Sequence, residues 1–559
     1  MSRARDFVIG PLAFRLDPGT GMVRNVRFHG HEIVRGIYPA VRDADWATVS
    51  PTVPSPDISA SAGIARVRMS GRVSGEGIDL EWNADIEATA GGSLRYRWSG
   101  CALRDFATNR TGLCVLHPAE IAGTACVIEH PDGRTEATAF PQTVSPHQPF
   151  REVRAITHEA APGLTVGVRL EGEVFETEDQ RNWTDASFKT YCRPLDWPRP
   201  YQLKSGTTIE HTVTVTARGT PPTRPVMATG IRLSRALIAT RLPRIGFGLP
   251  GPIPENLRKR VRALRPSHVR IEVSPEQLPE MLAWARADAE LLNCELEVAL
   301  RGATSTVLAR SNFPAQCSLH LFDEQGNSAP AEVVSAWRGA GFTAIGTGTL
   351  NHFVALNRQP PATRSEHDWT TFGINAQVHT FDDQSVIETL SQHGVVARQA
   401  QALGGGRPVA IAPIVLGPSA DSTDGRLHGQ FAARWVLGSL VRLAAAGGVD
   451  RVTFFRTHGP GGFLRGDGIT PAEHLFRVLA GNTGKHFTLG TEPGRNVDAL
   501  LVAAGNDRRL LVAHEDENAV PIEIPFGGAA GTLGHEAAPF SGGHALVPPH
   551  AVWQLHLSP

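Results

Sequence analysis

The chain has 559 residues and a mass of 60.0 kDa, too long for one hydrophobic core and enough for about three domains at about 150 residues each. Its 54 Lys and Arg balance 55 Asp and Glu, giving a net charge of -1 and a pI near 7.1, so no basic surface marks it for nucleic acid or an anionic membrane. A mean hydropathy of -0.15 and the lack of any run of about 18 apolar residues exclude a transmembrane helix.

At the amino terminus, MSRARDFVIGPLAFRLDPG has an apolar stretch broken by Asp6, Gly10 and Pro11, which is no secretory signal. Six cysteines (Cys101, Cys114, Cys126, Cys192, Cys294, Cys317) are scattered without a CxxC pair, so neither a zinc ribbon nor a disulfide scaffold is expected. Each is expected to be a small buried hydrophobe, and a reducing cytoplasm is the expected location.

Up to residue 225 short alternating runs dominate: RVRMSGRV, IDLEWNADIEA, SLRYRWSG, LTVGVRLEG and IEHTVTVTARG, separated by Gly, Pro and Asp. Period-two alternation at this spacing predicts an antiparallel β-sandwich over 1–225, closed by a linker at GTPPTRP (219–225). From about 240 strands alternate with helices. The predicted strands are IGFGL (245–249), HVRIEV (268–273), CELEVALR (294–301), CSLHLF (317–322), FTAIGT (342–347), TFGINAQV (371–378), PVAIAPIVL (408–416) and RVTFFRT (451–457). The fifth is followed by a long irregular connection. Strands apolar on both faces, alternating with amphipathic helices, predict a (β/α)8 TIM barrel over 240–484. The competing doubly wound sheet lacks a GxGxxG turn after its first strand. VDALLVAAG, RRLLVAHED, VPIEIPF and HALVPPHAVWQLHL then predict a small carboxy-terminal β domain over 485–559.

In such a barrel the chemistry sits at the carboxy-terminal strand ends. Those ends offer Glu272 and Glu297, Asp323 and Glu324 after strand four, Asn351 and His352 after strand five, Asn375, Gln377, His379, Asp382 and Asp383 after strand six, and Arg456, Thr457 and His458 after strand eight. Sandwich, barrel and small β domain is the layout of many glycoside hydrolases, in which two carboxylates flank the scissile bond. Asp323 or Glu324 fits the acid. Strand seven, PVAIAPIVLGPSA, has no carboxylate before Asp421, which counts against ordinary retaining chemistry while leaving an inverting pair open.

In NAQVHTFDD (375–383) an imidazole near neutral pKa can act as a base, and a carboxylate on its second nitrogen fixes its tautomer. Asp382, three residues on, is the nearest candidate for that carboxylate, unless it or Asp383 caps the helix starting near Ser385. Asn375, Gln377 and His379 share one face if the strand continues through them. The polar segment FETEDQRNWTDASFKTYCRPL (175–195) is read either as a solvated loop or as an insertion over the barrel mouth. In the second reading Trp183 stacks on a sugar-like ring, and Asp185, Arg181 and Lys189 are available to its hydroxyls. The loop GIYPAVRDADWATVSP (36–51) has the same ambiguity. No HExxH is present, and no metal and no other cofactor is expected. The clusters 404–406 and 459–462 are expected to be glycine turns, the second at a strand-eight end where barrels often bind phosphate.

The strings GIYPAVRDADWATV, FETEDQRNWTDASFKTYCRPL, GTGTLNHFVALNR and INAQVHTFDD resemble those of the D-apionate lactonase family, which has this three-part layout over nearly the whole chain. The resemblance implies hydrolysis of apionolactone to apionate, a step in bacterial apiose catabolism. One departure is FFRTHG (454–459), where a Tyr-Tyr-Glu-Thr-like run is expected, so that Arg456 reverses a charge. Lactone opening needs a base, for which His379 is suited, and oxyanion donors, for which Asn375, Arg456 or Lys189 are suited. No GxSxG elbow points to a serine hydrolase. The favoured reading is a sugar-lactone hydrolase acting on a small-molecule lactone. The alternatives are a glycoside hydrolase with an atypical carboxylate pair and a noncatalytic carbohydrate-binding protein. Oligomeric state is not legible in the chain.

Overall fold

The structure is a computed structural model that describes residues 4–222, 231–306, 309–362, 365–466, 468–480, 485–491, 497–504 and 506–557. The linker positions 223–225 and the expected boundary at 484 lie outside these. The chain forms two compact units, Met1–Arg181 with Ala186–Met227, and Ala228–Pro559 with Asn182–Asp185.

The first unit contains two large antiparallel sheets. The eight-stranded sheet runs Arg5–Ile9, Leu12–Asp17, Met22–Phe28, His31–Arg42, Arg110–Pro118, Ser187–Cys192, Phe175–Asp179 and Phe150–Val153 in spatial order. The ten-stranded sheet includes Ile78–Thr89, Ser93–Ala102, Leu164–Glu171 and Thr208–Gly219. Alternation does the folding here. In Ile78–Thr89 the residues Ile78, Leu80, Trp82, Ala84, Ile86 and Ala88 are buried, and they join Leu16, Val34 and Val115 of the other sheet in one core. Each fully buried Leu, Val or Ile contributes about 1.5–3 kcal/mol. Residues 36–42, expected within a polar loop, instead complete the strand His31–Arg42, because Ile37 and Val41 have the apolar alternation that packs into the core.

The second unit holds a closed parallel barrel: β1 (Arg244–Gly248), β2 (His268–Val273), β3 (Glu295–Arg301), β4 (Cys317–Phe322), β5 (Ile345–His352), β6 (Trp369–Asn375), β7 (Val409–Val415) and β8 (Val449–Arg456). Its helices are α1 (Glu255–Ala263), α2 (Leu278–Leu292), α3 (Ala331–Gly339), α4 (Phe353–Arg358), α5 (Asp383–Glu388), α6 (Leu390–Leu403), α7 (Gln430–Ala446) and α8 (Pro471–Leu479). None of the described helices is long and apolar enough to cross a membrane. Local chemistry sets their starts. Thr470 accepts the Glu473 N–H at 3.2 Å ahead of Pro471, satisfying one of the orphan donors of the first turn. Glycines admit imidazoles to the barrel interior. A Cβ on Gly246 would lie 2.3 Å from the His268 ring, and one on Gly346 2.8 Å from His320.

Two strands differ from expectation by three residues or more at an end. β5 begins three residues later and is followed by α4 rather than by an irregular link. β6 ends at Asn375, so Gln377 and His379 lie beyond the ladder and strand alternation does not govern them. The carboxy-terminal nine-stranded sheet also takes in Ile231–Thr240, from before the barrel, which pairs antiparallel with Lys485–Thr491 and parallel with Val520–Ile524.

Candidate functional site

Most of the polar residues after β6 hold neighbouring elements in place. Asn375 donates to the Pro418 carbonyl at 2.5 Å and accepts the Gln377 N–H at 2.8 Å. Gln377 donates to the Leu416 carbonyl at 2.7 Å and to Asp424 at 2.5 Å. These amides, one expected to meet substrate, tie the β6 and β7 ends together. Asp382 accepts the Ser385 N–H at 3.0 Å and caps α5. Asp383, in the first turn, pairs with Arg426 at 2.8 Å.

His379 therefore receives its Nδ1 carboxylate from elsewhere. The partner is Asp185, 194 residues away, through a hydrogen bond. The structure thus places Asp185 on His379 Nδ1 where Asp382 was expected, and Asp382 at the start of α5. Asp185 reaches it from the 182–185 segment that follows the strand Phe175–Asp179. There Thr184 has φ of 64°, a left-handed conformation that is strained for a β-branched residue, at about 1–3 kcal/mol. Asn182 accepts from Asn357 of α4 at 2.9 Å, and Asn357 accepts from Gln399 of α6 at 2.9 Å. Trp183 is edge-on to two imidazoles, His379 at 5.7 Å and His352 at 5.5 Å between centroids. Burial, then the neighbouring His379, lowers the His352 pKa to about 4, opposed by Asp185. His352 is on the list of strand ends, but only the fold brings it to Trp183. Nothing in the sequence signals the Asn182, Asn357 and Gln399 chain.

The other candidates lie on other elements. Asp323 is half-buried and accepts the Asn327 N–H at 2.7 Å, holding its own turn, where Glu324 is exposed. Asn351, also exposed, donates to the Gln325 carbonyl at 3.4 Å. Arg456 follows a bulge: Phe247 pairs with Phe454 but Gly248 with Arg456, and the extra residue, Phe455, has φ of 36°. Bulges at barrel rims re-aim side chains in this way. Lys189 belongs to the first unit, where strand register sets it opposite Glu178. Its side chain is 1% exposed, 3.4 Å from Glu178, and burial lowers its pKa, opposed by Glu178. Glu297 lies inside the barrel, not at its rim, paired with Arg270 at 2.5 Å.

Among the described residues Glu173, Cys192 and His211 form a group with metal-ligand spacing. The Leu113 N–H, however, donates to His211 Nδ1 at 3.1 Å. That bond puts the neutral ring's proton on Nε2, the atom facing Glu173 at 3.6 Å, and a protonated nitrogen cannot ligate. Burial also keeps the Cys192 thiol protonated. The group does not fit a cation.

Two family models match the chain: the amino-terminal domain of D-apionate lactonase over residues 1–220 and its TIM barrel domain over residues 325–484. A D-apionate lactonase of Brucella anthropi is 30% identical over 533 residues, covering 84% of this chain and 87% of the relative. Solved structures align more distantly. A β-arabinopyranosidase is 9% identical, with a TM-score of 0.29 over 98% of this chain and 99% of its own. A GH39 β-xylosidase from Caulobacter crescentus is 11% identical, with a TM-score of 0.39 over 59% and 100%. Neither likeness carries a functional argument. The two family models and the curated relative do: the chain belongs to the D-apionate lactonase family.

Proposed function

We propose that the chain hydrolyses the ring ester of a sugar-acid lactone, D-apionolactone to D-apionate in apiose catabolism, with His379 as the base that activates water. The carrying observation is the Asp185 carboxylate on His379 Nδ1 at the carboxy-terminal end of the barrel. A carboxylate there keeps the proton on Nδ1 and puts the lone pair on Nε2. Such a base contributes about 10²–10⁴-fold. Trp183, half-buried, offers a flat wall for the sugar ring. Arg456 and Asn351, on the same barrel end, are suited to its hydroxyls. Family membership supports the substrate class.

The test is a panel of aldonolactones, including D-apionolactone, followed by proton release beside a panel of aryl glycosides. Lactone turnover without glycoside turnover is expected. Glycoside cleavage without lactone turnover would make Asp323 and Glu324 the centre of the chemistry, and binding without turnover of either class would make the chain a carbohydrate-binding protein.

A further inference from the structure

The Trp183 indole has a second imidazole against it, and the base reading gives that ring no task. His352 closes β5 and precedes α4, and its ring meets Trp183 edge-on, as His379 does. Neither of its ring nitrogens is hydrogen-bonded to a described residue. His268, in contrast, is bonded at both nitrogens, to Ser267 at 2.9 Å and Thr453 at 2.8 Å, and His393 is bonded to Ser439 at 3.0 Å. Those rings are held for structure. The His352 ring is fixed by packing while its polar atoms remain available, and it is neither fully buried nor fully exposed.

We propose that His352 is a second catalytic residue of the lactonase, a neutral imidazole whose N–H binds the carbonyl oxygen of the lactone as negative charge develops there. The assignment rests on the reading of His379 as base. In the first step the water oxygen bonds to the carbonyl carbon while His379 Nε2 takes a water proton. The carbonyl π pair moves onto oxygen, which accepts the His352 N–H. In the second step that pair re-forms the carbonyl, the ring carbon–oxygen bond breaks, and the departing ring oxygen takes the proton from His379. The product is the open hydroxy acid, which releases its proton to solvent. Two neighbouring imidazoles cannot both carry positive charge cheaply. Protonation of His379 therefore keeps its neighbour a neutral donor, a state already favoured by burial, and a neutral imidazole is a competent electrophile for a carbonyl.

Kinetics on D-apionolactone with His352→Phe, His352→Gln and His379→Gln, each checked by thermal melting, test the assignment. Phe keeps the ring packing and removes the donor, and should lower kcat by about 10²-fold or more with KM nearly unchanged. Gln restores an N–H and should recover at least about tenfold of that loss. A folded His352→Phe with undiminished kcat, beside an inactive His379→Gln, would remove His352 and leave the base in place. Full activity in both would overturn the reading of His379 itself. Should the Phe variant not fold, the Gln variant decides: a defect confined to kcat supports the proposal, and one confined to KM overturns it.

Discussion

Toward the amino-terminal end of the barrel strands Glu297 lies fully buried, 2.5 Å from Arg270 and 3.3 Å from both Arg451 and His320. Beyond the carboxy-terminal ends Asp185 and His379 keep 13% and 15% of their side chains exposed, and His352 packs on the same Trp183 ring as His379. Both ends use carboxylate and imidazole. At the first end every charge is matched by a fixed opposite charge: burial alone would raise the Glu297 pKa, but His320, Arg270 and His268 hold it well below the usual carboxylate range. That arrangement gives a stable ion network with nothing left to react. At the second end one carboxylate serves one imidazole, at a surface that solvent reaches. A buried, saturated cluster suits a structural role; a half-buried pair at a strand end suits the catalytic role proposed for it.

Substitutions at the two ends should therefore fail in opposite ways. His379→Gln should lower kcat by about 10²–10⁴-fold while the melting temperature hardly moves. An unfolded variant, or a folded one with full turnover, would erase the contrast. Glu297→Gln should do the reverse, costing about 3–5 kcal/mol in urea unfolding because Arg270 loses its buried partner, with kcat per folded molecule unchanged.

Acid should act on the saturated interior first. Burial holds His268 at about 4 and His393 at about 3, so both stay neutral in the folded chain below the unfolded histidine value of about 6.5. The unfolded state then binds more protons. Their stabilisation is complete above about pH 6.5 and is lost as pH falls, at about 1.4 kcal/mol per unit for each group. The Glu297 contribution follows below the ordinary glutamate range. Urea midpoints should stay level from pH 8 to about pH 6.5 and fall from there to pH 5; a profile flat down to pH 5 would contradict this. Asp382→Ala should cost about 1 kcal/mol, the worth of a helix cap, without loss of kcat. Smallest of all, Glu324→Gln, at an exposed turn, should leave lactone turnover and stability within error of the parent chain.

Periodicity carried the fold because it is local physics. The alternation of Ile78–Thr89 and the apolar strands β1 to β8 specify which faces are buried, and the closed barrel follows. Boundaries were less legible where pairing overrides pattern: Ile231–Thr240 joins a sheet whose other strands come more than two hundred residues later. In the site, His379 is reachable as a histidine just past a strand end. Its partner is not. Proximity along the chain points to Asp382, yet a carboxylate three residues before an amide at a helix start is bound by that amide. The hydrogen bond to Asp185 exists only once the 182–185 segment and the β6 end share a compact unit. No local pattern encodes such a meeting.

The account turns on Asp185 and His379 acting as one group, and the most direct measurement is a double-mutant cycle in kcat/KM on D-apionolactone. Asp185→Asn, which keeps the shape but removes the charge, should lower kcat/KM about 10–10²-fold, and His379→Gln more. The double variant should be no worse than His379→Gln alone, since an orienting carboxylate has no further role once its imidazole is gone. Losses that multiply would contradict the account and place the two side chains in independent roles.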